Sequence, residues 1–86
     1  MRDMDQLVVR TENSTYEITV ISRETGEILV RGGRFFPEFT PARLAGSSLG
    51  GSFLKLRGIY AGFNLEIHVG RKLIVTSRVS KISLVA

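Results

Sequence analysis

The 86-residue chain has no cysteine. That one absence excludes a disulfide scaffold, a thiolate zinc site, an iron–sulfur cluster and a cysteine nucleophile. Stability at this size must then come from packing or from association. Long apolar runs are missing too. No stretch approaches the roughly 18 residues of a membrane span, and the opening Met1-Arg2-Asp3-Met4-Asp5-Gln6 has no apolar h-region, so cytoplasmic residence with no membrane partner is the expectation. No fixed-period repeat or low-complexity tract occurs, and the length allows one core, so residues 1–86 read as a single domain. Apolar residues at 43% with 23% charged are the balance of a chain that folds.

What the sequence does have is period-2 alternation, with no sustained helical spacing. Residues 7–11 read as a first strand, and Glu12-Asn13-Ser14 turn the chain into residues 15–21, where Tyr16, Ile18 and Val20 share a face. Gly26 supplies the positive φ of a loop that returns the chain through residues 27–31. Over residues 32–52 the alternation breaks. Pro37 and Pro41 cannot donate to a central ladder, and glycines surround them. The expectation is one long irregular connection, with at most a helical turn over residues 40–45 and with Phe35, Phe36 and Phe39 plugging one end of the fold. Residues 53–57 then resume as a strand. In residues 63–69 Phe63, Leu65, Ile67 and Val69 alternate with Asn64, Glu66 and His68, one face dry and one wet. Gly70-Arg71 fits a type II′ hairpin turn into residues 72–76, Ser77-Arg78 reads as a corner, and residues 79–85 close the sheet. Six or seven short strands with one long Gly/Pro-containing connection predict an all-β fold, a small, strongly bent β-barrel of the SH3-like or OB-like kind.

The chemical motifs are weak. Gly46-Ser47-Ser48-Leu49-Gly50-Gly51-Ser52 has the glycine spacing of a phosphate loop, but Ser52-Phe53 stand where lysine and a helix start are required. A small-ligand or hydrolytic site there is the least favoured reading. His68, the only histidine, has Glu66 and Asn64 beside it at strand spacing. A line of ligands on one strand does not converge tetrahedrally, and no nucleophile or orienting group accompanies the pair. No enzyme activity, cofactor or metal site is therefore expected.

The charge is one-sided. The chain carries +4 overall. Residues 1–43 hold six arginines against seven carboxylates, net −1, whereas residues 44–86 hold Lys55, Arg57, Arg71, Lys72, Arg78 and Lys81 against Glu66 alone, net +5. These six cations with Tyr60 as a stacking platform are the candidate nucleic-acid or polyanion site, because single strands need charges for phosphates and rings for bases. The competing reading is that edge lysines and arginines keep small sheets from aggregating.

Thr11-x-Asn13-Ser14-x-Tyr16 near the start, with Thr76-Ser77-x-Val79 near the end, resembles a pattern in short bacterial and phage-borne all-β proteins that carry no known activity. The resemblance covers only these two stretches. Physically, both place hydroxyls and an amide at strand ends, where they cap turns. Apolar residues on both faces of several strands, such as Ile21 against Ile18 and Val20, Leu29 against Ile28 and Val30, and Ile74 against Leu73 and Val75, exceed what one small interior holds. The function expected is a non-enzymatic interaction module that self-associates as a homo-oligomer or docks on a macromolecule. The alternative is a nucleic-acid-binding barrel.

Overall fold

The computed structural model describes residues 1–49, 54–56 and 58–85. Its described strands are β1 (Gln6–Thr11), β2 (Thr15–Ser22), β3 (Glu27–Gly32), β4 (Phe36–Ser48), β5 (Leu54–Leu56), β6 (Asn64–Val69) and β7 (Lys72–Leu84). All pairings are antiparallel, and β1-β2-β3-β4-β6-β7 form a closed six-strand barrel because β7 returns to β1. Ring neighbours are chain neighbours once β5 is set aside. It pairs only with the far end of β4.

Alternation places the core. Leu7 and Val9 of β1, Tyr16, Ile18 and Val20 of β2, Ile28 and Val30 of β3, Leu65 and Ile67 of β6 and Val79 of β7 all point inward and are buried. Six strands leave an interior only wide enough for side chains, and these residues fill it. Each fully buried aliphatic or aromatic side chain contributes about 1.5–3 kcal/mol. Tyr16 meets Phe36 edge to face, with ring centroids 6.4 Å apart.

The expected irregular connection is instead the 13-residue strand β4. The prolines fit because of register. The Leu44 N–H donates to Gly26 O (2.7 Å), which makes Glu27–Arg43, and two residues along Leu29–Pro41, non-hydrogen-bonded pairs. The Pro41 nitrogen thus faces away from β3, on an edge that β6 reaches only from Arg43 onward. Pro37 sits in the bulged stretch between the Thr40–Val30 and Phe36–Gly32 pairs. No helical turn forms at residues 40–45. Of the three phenylalanines only Phe36 enters the core, while Phe35 and Phe39 are exposed.

The last two expected strands are one, β7, bent rather than broken at its corner. Between the Glu66–Val75 and Asn64–Arg78 pairs β7 carries one residue more than β6, a bulge at Thr76-Ser77. The Gly70-Arg71 turn forms as expected, with Gly70 at φ 58° and no positive φ at Arg71, as type II′ requires. Gly26 likewise adopts φ 81°.

Candidate functional site

The chemistry of the surface begins at the β7 corner, where the two short sequence patterns meet. The Asn13 N–H donates to Ser77 Oγ (3.1 Å), and Ser77 Oγ donates to Thr11 Oγ1 (2.7 Å). Thr11 Oγ1 donates to Ser14 O and accepts the Ser14 N–H, at 3.1 and 3.0 Å. Thr76 Oγ1 accepts the Leu65 N–H (3.0 Å) in place of a ladder carbonyl, and the Asn64 side chain donates to Thr76 O (2.7 Å). The bulge costs ladder bonds, and these hydroxyls replace them. Their role is to hold the corner together.

The described candidate cations fall in three places. Lys81 stands opposite Arg10 across the β1–β7 ladder, and Arg78 stands opposite Asn64. The turn bearing Tyr60 lies against the same stretch, since the Gly62 N–H donates to Val79 O and the Val79 N–H to Phe63 O. Tyr60 packs on Phe63 with centroids 6.1 Å apart. Tyr60, Arg78 and Lys81 are thus neighbours, joined by Arg10 from the acid-rich half of the chain. A carboxylate intrudes, because Glu12 Oε1 accepts the Arg78 N–H (3.3 Å). Arg71 and Lys72 lie at the other end of β7, about 20 Å or more from Arg78 along an extended strand. Lys55 lies on β5 opposite Ser47, and Arg57 lies outside the described residues.

The other motifs resolve into sheet. Gly46, Ser47 and Ser48 are strand residues paired to β5 on one side and β6 on the other, so their backbone groups cradle no phosphate. Residues 50–52 of that motif lie outside the described residues. His68 is exposed between Arg43 of β4 and Leu73 of β7. Among the described residues no group of three or more His, Asp or Glu is placed to hold a metal ion, and no helix is long and apolar enough to cross a membrane.

The apolar surplus expected on the outer faces gathers in two areas that sequence reasoning did not locate. One holds Val8, Leu29, Phe39 and Val85 around a hollow of about 530 Å³. There Arg31 lies 4.4 Å from the Phe39 ring centroid and pairs with Glu17 (2.8 Å). The second holds Leu73 and Val75 of β7 with Phe35 of the β3–β4 turn. Ile74, expected to add to the surplus, packs against the core, and its neighbours Leu73 and Val75 are the exposed pair. The signal for this was the Gly70-Arg71 turn, which sets the phase of β7. No family model, curated protein or solved structure matches the chain.

Proposed function

We propose that this protein is a non-enzymatic interaction module of the cytoplasm, which works by presenting the outside of its barrel to a macromolecular partner or to further copies of itself. One observation carries the reading. The interior is filled by side chains, yet Phe35, Leu73 and Val75 remain exposed together on the outside. A contiguous apolar group on a small barrel marks a contact surface, whereas scattered ones do not. Size exclusion with light scattering at micromolar concentration tests the homo-oligomeric form. A multiple of 9.5 kDa supports it, and a mass of 9.5 kDa leaves docking on another macromolecule as the mode of action.

The second reading, binding of single-stranded nucleic acid, is supported by the neighbourhood of Tyr60, Arg78, Lys81 and Arg10. Its test is affinity for an oligonucleotide against salt. The expected slope is about −0.7 per phosphate contacted, and Arg78→Glu with Lys81→Glu should weaken binding for every sequence alike. No binding at low salt rejects this reading.

A further inference from the structure

We infer that the free edge of β7 over Leu73–Val75 is a docking site for an extended peptide segment, which adds to the barrel as one more strand; the inference rests on the interaction-module reading and gives it a place and a partner. The argument starts from register. A two-residue turn makes Val69–Lys72 a hydrogen-bonded pair, and antiparallel pairs alternate. Val69–Lys72 and Ile67–Ile74 are therefore bonded across the ladder, whereas His68–Leu73 and Glu66–Val75 are not. The other neighbours agree, because His68 and Glu66 pair on their opposite side with Arg43 and Gly46 of β4. The N–H and C=O of Leu73 and of Val75 consequently point away from β6.

Among the described residues no strand meets them. On that side of β7 stands β1, but β1 ends at Thr11, opposite Val79. Two donors and two acceptors thus lie along one edge at strand spacing, the template for strand addition. The flanking side chains suit a ligand. Leu73 is 48% exposed, Val75 47% and Phe35 59%, and Phe35 shares with them a hollow of about 340 Å³. Through Phe35 and Val75 this hollow adjoins a larger one of about 680 Å³ that reaches Arg34 and Ser77.

Charge selects the occupant. The residues lining the two hollows include Lys72 and Arg34 and no carboxylate. A second copy would bring to this edge the same cations and no carboxylate from these hollows, and so offers Lys72 and Arg34 no counter-charge. A segment alternating apolar and acidic residues instead places apolar groups beside Leu73 and Val75 and carboxylates near Lys72 and Arg34.

The experiment is an NMR titration of the whole chain with a capped decapeptide alternating valine and glutamate. Saturable shifts centred on the Leu73 and Val75 amides, with slowed exchange of both, are the expected result. The same peptide N-methylated at every second residue, on its bonding edge, should bind at least about tenfold more weakly, since each lost hydrogen bond is worth about 1 kcal/mol. Val75→Pro, which deletes an outward N–H and leaves the β6 ladder intact, should do likewise; the N-methyl comparison holds even if that variant misfolds. No shifts at millimolar peptide, or equal binding of the N-methylated peptide, overturns the edge site. Shifts centred on Leu29 and Phe39 overturn it while supporting the interaction-module reading, as does edge protection that grows with protein concentration alone. A 9.5 kDa species that binds neither peptide nor oligonucleotide overturns the edge site together with the homo-oligomeric form of the module.

Discussion

Leu65 and Leu73 offer the same substitution on the two faces of one hairpin. Leu65 is 0% exposed and sits on β6 opposite Ser47 of β4, with its N–H held by Thr76 Oγ1. Truncation to alanine removes its buried methyls and leaves a cavity among Ile67, Leu44 and their neighbours in the core. Such losses cost about 2–5 kcal/mol, against a total of roughly 4–13 kcal/mol for a domain of this length. At about 4–8 °C per kcal/mol, Leu65→Ala should lower the Tm by roughly 8–40 °C, and at the upper end it unfolds the protein. Leu73 lies eight residues on and faces out, so Leu73→Ala should change stability by no more than about 0.5 kcal/mol. Thermal melts followed by circular dichroism, with urea midpoints as a check, decide it. Equal shifts for the two variants, or a larger one for Leu73→Ala, would refute the assignment of the faces of β6 and β7.

Two adjacent serines should differ in the same way. Ser47→Ala deletes a buried 2.6 Å hydrogen bond to Gly58 O and should cost about 1–3 kcal/mol in urea unfolding. Ser48→Ala removes a buried hydroxyl that has no hydrogen-bond partner among the described residues and should be neutral or stabilising. For the turn glycines, Gly70→Ala meets open space at φ 58° and should cost roughly 1–2 kcal/mol of left-handed strain. Gly26→Ala adds to similar strain a Cβ only 2.5 Å from Leu44 O, so its melting temperature should fall further; equal losses would contradict the close approach of β4.

Where local pattern and tertiary structure agree, the fold was legible. Residues 63–76 show it best: alternation, a Gly70-Arg71 turn and resumed alternation gave β6, the turn and the start of β7. Asn13 and Ser14 were also correctly placed in the turn after β1, whereas Thr76 and Ser77, expected at a strand end, lie at a bulge inside β7. β4 was not legible, because Pro37 and Pro41 argue against a strand until one knows which edge each nitrogen faces, and that is a property of pairing. The grouping of cations failed for a similar reason. Arg10 joins Lys81 only because β7 closes on β1, and Arg71 parts from Arg78 only because an extended strand is long. The free edge of β7 lies between these cases, since its phase follows from the turn but its lack of a neighbour follows from where β1 stops.

Amide hydrogen exchange at residues 72–75, in dilute protein, tests most directly the claim that the closed barrel leaves the β7 edge over Leu73–Val75 open. The Lys72 and Ile74 amides bond to β6 and should be strongly protected, whereas the Leu73 and Val75 amides face outward and should exchange close to the rate of an unstructured chain. Uniform protection across the four would mean that this edge is already paired, and would contradict the account.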